Sequence, residues 1–305
     1  MPQPDISIVT GAFSYTGRYI THHLLAQGKR VRTLTGHPRR PHPFGERVEV
    51  APLRLDEPAE LARNLQGAAT LYNTYWIRFP HGGLTFDQAV ANTELLFRAA
   101  KEAGVSKIVH LSVTGASPQS SLPYYRGKGE QEAALARSGV PYAILRPTLI
   151  FGAGDILVNN IAWLLRRFPV FALPGSGDYR LQPIAAEEVA AQAVAAAAAP
   201  GSTTFDVAGP DVFTFEELVR LIARTLGRKT RIIHVPPSMA LFCVRALGRL
   251  VGDVILTPQE LEGLRQNLLV AGGPPTGRIR FADWLEQNAD TVGLGYASEL
   301  QRHFR

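Results

Sequence analysis

A tyrosine and a lysine four residues apart, Tyr124 and Lys128, are the side chains whose spacing most directly suggests chemistry. They follow Pro123, which suits the first turn of a helix, so both side chains should lie on one helix face. An ammonium group beside a phenol stabilises the phenolate and lowers its pKa from about 10. The pair predicts proton transfer, with Tyr124 as the acid or base and Lys128 supporting it. Tyr125 faces differently and is the weaker candidate.

Two hydroxyl side chains, Ser112 and Thr114, end the apolar run that precedes this helix. The carboxyl ends of parallel strands meet at the ligand-binding edge of an α/β sheet. A hydroxyl there either bonds a substrate oxygen or caps the end of the strand. We expect one of the two to orient the substrate, and the capping role for Ser112 stays open.

A glycine-containing turn, Thr10-Gly-Ala-Phe-Ser-Tyr-Thr-Gly17, follows the first apolar run and opens a helical pattern. Glycines permit a tight turn and bring backbone N–H groups close to a pyrophosphate at the positive end of the helix. Ser14 replaces the middle glycine, and its hydroxyl can still approach a phosphate. The turn predicts a dinucleotide site, and a strand–helix turn without a ligand is the alternative. The candidate contacts are Gly11, Phe13, Ser14, Tyr15, Thr16 and Gly17.

The end of the second predicted strand selects between the two nicotinamide dinucleotides. A carboxylate there bonds the ribose 2′-OH of NAD and repels the 2′-phosphate of NADP. The run Thr35-Gly-His-Pro-Arg-Arg40 has no carboxylate, so we expect NADP to be preferred over NAD. Solvated loop cations without a ligand are the alternative. The candidates are Thr35, His37, Arg39 and Arg40 for the phosphate, and Asp56, after the third strand, for the adenine.

Alternating apolar runs and helical patterns over the first 150 residues position these groups. The runs are 6–9, 31–34, 48–50, 70–72, 108–111 and 142–145, and the helical patterns cover about 16–27, 57–65, 85–103 and 123–138. Strand–helix–strand repeats of this kind predict an α/β fold with a Rossmann-type, doubly wound parallel sheet. Gly28 and Gly104 are expected to end helices in the left-handed conformation.

The pattern loosens beyond Pro147 and becomes mostly helical in the final hundred residues. We expect residues 1–150, with 181–210 returning to the sheet, to form the dinucleotide-binding domain. Residues 151–180 and 211–305 should form a smaller substrate-binding or lid region. Its apolar segment Pro237–Val251 is expected to cover a core or a pocket, and contact with a membrane surface is the alternative.

The composition excludes several classes of protein. With 305 residues, 46% hydrophobic and 19% charged, the chain is neither disordered nor collagen-like. Its single cysteine, Cys243, excludes an internal disulfide and is expected to be a small buried side chain. The start, Met1–Asp5, lacks a basic leader and no apolar run reaches the ~18 residues of a membrane span, so a cytoplasmic location is expected. The arginines behind the net charge of +6 are scattered, which argues against a nucleic-acid surface.

Residues 5–210 resemble the short-chain dehydrogenase/reductase superfamily in its extended and atypical branch. The resemblance is carried by Gly11 and Gly17, the Ser112-Val-Thr114 strand end, Tyr124-x-x-x-Lys128, Asn92 in its helix, and Leu145-Arg-Pro147. It implies Tyr124 as acid or base, Lys128 as the residue that holds the nicotinamide ribose, and Thr114 or Ser112 as the group that orients substrate. It also implies that Asn92 organises a helix or a proton relay. Asn73 is a further candidate cofactor contact.

The segment Tyr72-Asn-Thr-Tyr-Trp76 departs from the small, alanine-rich segment of catalytic extended members. In this it is similar to the NmrA-like and complex I accessory-subunit branches, some of which bind cofactor with little or no turnover. The resemblance therefore implies an NAD(P)-dependent oxidoreductase or epimerase that transfers hydride. The alternative is a non-catalytic NADP(H)-binding sensor or assembly subunit.

A small-molecule substrate is the expected partner, and no metal ion is expected. Helices around 85–103 and 123–138 are candidates for a homodimer interface. The candidate substrate contacts are Tyr75, Trp76, Asn159, Asn160, Trp163 and Arg180.

Overall fold

A computed structural model describes residues 6–303 of the chain, with the side chains of residues 6–302. The expectation about Met1–Asp5 therefore concerns a stretch outside the described residues. The chain divides into two compact units, Met1–Pro147 with Ala186–Asp206, and Thr148–Ala185 with Val207–Arg305.

Strands and helices alternate along the first 147 residues. The strands are β1 (Ile6–Thr10), β2 (Arg30–Thr35), β3 (Val48–Pro52), β4 (Ala68–Asn73), β5 (Lys107–Leu111) and β6 (Tyr142–Pro147). The helices are α1 (Tyr15–Ala26), α2 (Pro58–Leu65), α3 (Phe86–Glu102) and α4 (Pro123–Arg137).

The chain then leaves the first unit, returns to it once, and ends in the second. The next elements are β7 (Leu149–Phe151), α5 (Leu157–Arg167), β8 (Val170–Pro174), β9 (Arg180–Leu181) and β10 (Pro183–Ala185). The return consists of α6 (Ala186–Ala198) and β11 (Thr203–Val207). The last elements are β12 (Phe213–Thr214), α7 (Phe215–Thr225), β13 (Arg231–Val235), α8 (Pro237–Val251), α9 (Pro258–Arg265), α10 (Phe281–Gln287) and α11 (Glu299–His303).

The first unit contains a seven-stranded sheet in the order β11-β6-β5-β4-β1-β2-β3. Strands β1 to β6 are parallel to their neighbours. Because β4 pairs with β1 on the side opposite to β2, the strand order reverses there, and ligands of open α/β sheets bind at such a point. The predicted Rossmann-type doubly wound sheet is confirmed.

The core of this unit explains why its strands could be predicted from apolar runs in the sequence. Ile8, Leu71 and Ile108 have no exposed surface, as expected for parallel strands that are covered by helices on both faces. The predicted helices agree with α1 to α4 to within one residue at each end. Gly28 and Gly104 follow two of them with φ of 71° and 75°, as predicted.

The second unit has a different construction. Three two-stranded sheets, β7–β10, β8–β13 and β9–β12, surround a core that includes Phe151, Leu173, Leu218 and Phe281. Within the segment 181–210, Thr203–Val207 lies in the main sheet, whereas Pro183–Ala185 pairs with Leu149–Phe151 in the second unit. Strands of two to five residues are too short to show a period, so the sequence did not indicate most of them.

Helix α8 packs on one side only, so the expectation that it covers a core or a pocket accounts for part of its apolar surface. Its buried residues are Ala240 and Gly248, while Phe242 is 71% exposed and Leu250 is 85% exposed. Cys243 is also exposed, so the expectation of a buried cysteine is wrong. The reason is that α8 is buried only at Ala240 and Gly248, and Cys243 lies beyond that narrow contact.

Candidate functional site

The glycine turn after β1 has the geometry of a phosphate cradle. Gly11 has φ of 67°, and its N–H donates to the carbonyl of Leu34 at 2.9 Å. A Cβ atom on Gly17 would lie 2.1 Å from the Gly11 carbonyl oxygen, so only glycine fits there. Ser14 precedes α1 in an extended conformation and makes no side-chain capping bond. The turn thus leaves the N-terminus of α1 available to an anion.

An aromatic cluster beside this turn was not foreseen. The Phe13 ring stacks on His42, with centroids 4.1 Å apart and planes 9° apart, and Phe44 lies next to both. Phe13 was a candidate cofactor contact, and the structure shows that it packs on the loop that follows β2. The signal in the sequence was the presence of two aromatic rings, His42 and Phe44, in a short loop; Phe44 is buried and His42 half-buried.

Residues 36–40, directly after β2, include two arginines and no carboxylate. His37 donates its backbone N–H to the Thr35 hydroxyl at 3.1 Å, and Arg40 donates its own to the His37 carbonyl at 3.1 Å. These two bonds form a turn on which Arg39 is exposed. Asp56 is exposed beyond the end of β3. Arg39 and Asp56 are therefore both accessible from solvent, and their contacts with a cofactor stay predictions.

A buried polar network joins the ends of three strands behind the glycine turn. The Thr10 hydroxyl donates to the Asn73 side-chain oxygen at 3.1 Å, and the Asn73 amide lies 3.0 Å from Nδ1 of His110. Burial, followed by the charge of Lys128, holds the pKa of His110 well below its usual value. Asn73 has no exposed surface. Its side chain thus supports the turn from inside, and a cofactor contact from Asn73 would need the network to open.

Lys128 is buried beneath its helix. It is 3% exposed, and its Nζ donates to the Leu111 carbonyl at 2.7 Å. Burial lowers the pKa of Lys128 to about 7, and the nearby Glu132 carboxylate acts in the opposite direction. The predicted partner Tyr124 is partly exposed on the first turn of α4. The structure thus keeps both groups on α4, with the lysine inside and the tyrosine nearer the surface.

Trp76 covers the lysine and touches the tyrosine. Its ring centroid lies 4.9 Å from Lys128 Nζ and 5.8 Å from the Tyr124 ring centroid. A Cβ atom on Gly127 would lie 2.6 Å from Trp76 Cη2, so the indole rests directly on the backbone of α4. The Trp76 indole nitrogen is buried with no hydrogen-bond partner in the described part of the chain.

The two strand-end hydroxyls are already bonded within the protein. Ser112 donates to the Glu132 carboxylate, which also accepts from Arg146 Nε at 2.9 Å. Thr114 donates to the Pro147 carbonyl at 3.1 Å and is 2% exposed. Ser112 thus bonds a side chain of α4 and does not cap the end of its strand. Glu132 and Arg146 were missed because their pairing depends on the contact between α4 and β6.

Asn92 bonds a tyrosine that was expected to face a substrate. Its side-chain amide donates to the Tyr75 hydroxyl at 2.8 Å, and Gln88 donates to Asn92 at 3.0 Å. Burial raises the pKa of Tyr75, and the bond from Asn92 acts in the opposite direction. Asn92 therefore orients Tyr75 in this structure, one residue before Trp76.

Comparison with known proteins decides the family. A family model described as NAD(P)H-binding matches residues 11–154. The protein named ceramide reductase of Caulobacter vibrioides is 30% identical over 236 residues, which cover 75% of this chain and 73% of that protein. The chain belongs to the extended short-chain dehydrogenase/reductase-like family. It carries the NAD(P)H-binding domain of that family.

Other similar proteins agree with this family. Subunit 9 of the NADH dehydrogenase [ubiquinone] 1 alpha subcomplex, a mitochondrial protein of Arabidopsis thaliana, is 27% identical over 246 residues. The match covers 77% of this chain and 61% of the plant protein's length. The crystal structure of a nucleoside-diphosphate-sugar epimerase from Staphylococcus aureus superposes with a TM-score of 0.72 at 18% identity, covering 97% and 98% of the two chains. That likeness shows the shared fold.

In this member of the extended short-chain dehydrogenase/reductase-like family, α5 uses its polar side chains inside the second unit. Asn159 donates to the Gly295 carbonyl at 2.9 Å, and Asn160 donates to the Ala297 carbonyl at 2.9 Å. The Trp163 ring contacts Tyr296, with centroids 5.3 Å apart. These three candidate substrate contacts therefore hold the segment around residues 293–297 in place.

Arg180 is the remaining candidate substrate contact. Its side chain is exposed, and its backbone N–H donates to Asn267 Oδ1 at 2.5 Å. Within residues 6–302, no group of three or more His, Cys, Asp or Glu side chains is placed to hold a metal ion. None of the helices in the described part of the chain is long and apolar enough to cross a bilayer.

Proposed function

We propose that this protein is an NADP(H)-dependent oxidoreductase that reduces a carbonyl group. The observation that carries the proposal is that the glycine turn and the helix of Tyr124 and Lys128 follow strands β1 and β5 of one parallel sheet. Gly17 packs tightly against the Gly11 carbonyl, so α1 starts directly after the turn, and Ser14 leaves its N-terminus without a side-chain cap. Tyr124 and Lys128 lie on the first turns of α4, the helix that follows β5.

The proposed roles of the side chains follow from their chemistry. When bound, the nicotinamide supplies the hydride for the carbonyl carbon. Tyr124 donates its phenolic proton to the carbonyl oxygen as the alcohol forms. A charged Lys128 on the same helix face stabilises the resulting phenolate. Trp76, which touches both side chains, limits the access of water to them.

A reductase is favoured over an epimerase by the comparisons. The relative at 30% identity bears the name ceramide reductase, whereas the sugar-nucleotide epimerase at 18% identity shares the fold. We therefore propose a carbonyl on an acyl or long-chain compound as the first substrate class to test. We also propose the cytoplasm as the compartment, because the single cysteine fits a reducing environment.

Cofactor choice is tested by calorimetric titration with NADPH and NADH. We expect NADPH to bind more tightly, and Arg39→Gln to weaken NADPH binding by about tenfold or more, because a charge-assisted hydrogen bond contributes roughly 1.5–3 kcal/mol. NADH binding should be unchanged by that variant. Arg63→Gln, on the exposed side of α2, is the matched control. Equal loss for both nucleotides would remove the role of Arg39 in choosing NADP.

The turn itself is tested by Gly17→Asp. We expect this variant to lose both nucleotides, since the new side chain would meet the Gly11 carbonyl and add a negative charge. Gly272→Asp, at an open position in the second unit, is the control. Retained binding in folded Gly17→Asp would place the dinucleotide elsewhere.

Turnover is tested by comparing Tyr124→Phe with Tyr125→Phe. Both variants remove one phenolic hydroxyl from the first turn of α4. We expect Tyr124→Phe to lower kcat by 10²–10⁴-fold, the contribution of a general acid, with the dissociation constant for NADPH unchanged. Tyr125→Phe should retain most of the activity. A fully active Tyr124→Phe would refute the assignment of the acid.

A second candidate function is a cofactor-binding subunit without turnover. The observation in its favour is the Trp76 ring, which covers Lys128 and rests on the backbone of α4. Serine, threonine and asparagine candidates around it already bond within the protein. One relative is named as a mitochondrial NADH dehydrogenase subunit, which agrees with this second function.

Trp76→Ala separates the two functions. If the protein is an oxidoreductase, the wild type oxidises NADPH with a carbonyl substrate, and Trp76→Ala slows this reaction because water reaches the site. If the protein is a binding subunit, the wild type binds NADPH and does not oxidise it with any carbonyl compound of a screen. Trp76→Ala should then leave binding intact, and a gain of NADPH oxidation would identify the indole as the block.

A further inference from the structure

Helix α8 is apolar on the side that faces solvent. Its sequence, Pro-Ser-Met-Ala-Leu-Phe-Cys-Val-Arg-Ala-Leu-Gly-Arg-Leu-Val, contains no acidic residue. Met239 is 48% exposed, Phe242 71% and Leu250 85%. A surface helix normally places polar side chains toward water, so this arrangement needs a partner to cover it.

The exposed apolar side chains form one continuous stripe. Met239, Phe242, Ala246 and Leu250 follow each other at intervals of three or four residues, which keeps them on one helix face. Cys243 is exposed on the same face. The helix has 15 residues, or about 22 Å at 1.5 Å per residue. This is too short to span a bilayer, which requires about 20 apolar residues.

Two arginines border the stripe. Arg245 and Arg249 are four residues apart, so they share a face, and that face adjoins Phe242. Neither guanidinium forms an ion pair or a hydrogen bond with any described residue. Two unpaired cations beside an apolar stripe complement an anionic surface that has an apolar layer directly beneath it.

We propose that α8 docks this protein on an anionic lipid bilayer. The helix lies in the plane of the interface, with Met239, Phe242 and Leu250 in the acyl boundary and the two arginines at the phosphate level. Interfacial helices have this distribution of aromatic and aliphatic side chains beside basic ones. Because α8 belongs to the second unit, the proposal is independent of cofactor binding at the glycine turn of the first.

The single cysteine provides a direct probe. The full chain is labelled at Cys243 with an environment-sensitive fluorophore and mixed with vesicles of phosphatidylcholine containing 30% phosphatidylglycerol. We expect a blue shift of the emission, co-sedimentation with the vesicles, and at least tenfold weaker binding to pure phosphatidylcholine. A chain carrying Cys243→Ser and Leu294→Cys, labelled at residue 294, should show no shift. Absence of both the shift and co-sedimentation would overturn the proposal.

Matched double variants assign the binding to α8. Phe242→Ser with Leu250→Ser should weaken vesicle binding at least tenfold, whereas Val212→Ser with Leu294→Ser, exposed apolar residues outside α8, should not. Arg245→Gln with Arg249→Gln should abolish the preference for anionic lipid. Arg63→Gln with Arg98→Gln removes the same net charge and should retain that preference.

Several results would contradict this assignment. Equal losses from both arginine pairs would show that net charge drives the binding. Vesicle binding that survives Phe242→Ser with Leu250→Ser would exclude the stripe. A dimer in size-exclusion chromatography that this double variant dissociates, without vesicle binding by the wild type, would show that a second copy covers the stripe.

Discussion

Asp155 is buried at the start of α5, and its ionisation couples stability to pH. Burial raises the pKa of its carboxyl to about 7, although the N–H of Val158 donates to Oδ1 at 2.9 Å and acts in the opposite direction. In the unfolded chain an aspartate titrates near about 3.9. Between these two values the folded state holds a proton that the unfolded state lacks. Stability therefore falls as pH rises through this window.

We expect Asp155→Asn to remove this pH dependence. Asparagine keeps an oxygen that can accept from Val158 and carries no charge. The melting temperature of the variant should exceed that of the wild type by about 8 °C or more at pH 8, since about three pKa units correspond to about 4 kcal/mol and each kcal/mol to about 2–4 °C. At pH 4 the two should agree.

Differential scanning calorimetry at the two pH values makes this measurement. Asp290→Asn, an exposed aspartate of the same unit, is the control and should show no such difference. The quantity to compare is the difference in melting temperature between the wild type and Asp155→Asn. If this difference is the same at both pH values, Asp155 stays ionised in the folded state.

At the scale of elements, α7 is held at its N-terminus by a capping box. The Thr214 hydroxyl accepts from the Glu217 N–H at 3.1 Å, and the Glu217 carboxylate accepts from the Thr214 N–H at 2.8 Å. The bond from the Thr214 N–H to the carboxylate is the main reason that the pKa of Glu217 is lowered. The helix they start contributes Leu218, Val219 and Ile222 to the core of the second unit.

We expect Thr214→Ala to destabilise the second unit by about 1 kcal/mol, the usual cost of losing an N-cap hydroxyl. Urea denaturation followed by tryptophan fluorescence measures this change, because Trp163 and Trp284 both lie in that unit. Ser238→Ala, an exposed hydroxyl at the start of α8, is the control. An unchanged midpoint for Thr214→Ala would mean that core packing alone fixes this helix.

Elements differ in how much of them the sequence reveals. Strands such as β1 and β5 are buried at every residue, so they appear as apolar runs, and the turn after β1 shows its glycines directly. Side-chain contacts between segments that are distant in the sequence cannot be predicted in this way. The cover that Trp76 forms over Lys128, and the bond from Ser112 to Glu132, follow from how α4 packs against the ends of β4 and β5.

The exposed stripe of α8 is a related case. Apart from Ser238, Arg245 and Arg249, its residues are apolar or glycine, which predicts a mostly buried helix. The burial of Ala240 and Gly248 alone shows that just one side of α8 packs on the unit that carries it. Periodicity gives the faces of a helix, and the neighbouring elements decide which face is covered.

At the scale of the whole molecule, the two units allow the cofactor site to be located without a crystal of the complex. A ligand stabilises the state that binds it by about 2.7 kcal/mol at a concentration of 100 times its dissociation constant. Some backbone amides exchange their hydrogens only when the unit that binds the ligand opens. The exchange rate of these amides should then fall by up to about 100-fold.

We expect hydrogen–deuterium exchange to show NADPH protection in the unit that carries the glycine turn, strongest over residues 10–18 and 35–40. The mass spectrometry comparison uses the wild type with and without NADPH, and Gly17→Asp under the same conditions. Protection at 10–18 that disappears in Gly17→Asp would place the pyrophosphate on the N-terminus of α1. Slower exchange at 35–40 with NADPH and not with NADH would tie the 2′-phosphate to the loop of Arg39 and Arg40. Protection confined to α5 or β8 would contradict the assignment, because those elements lie in the second unit.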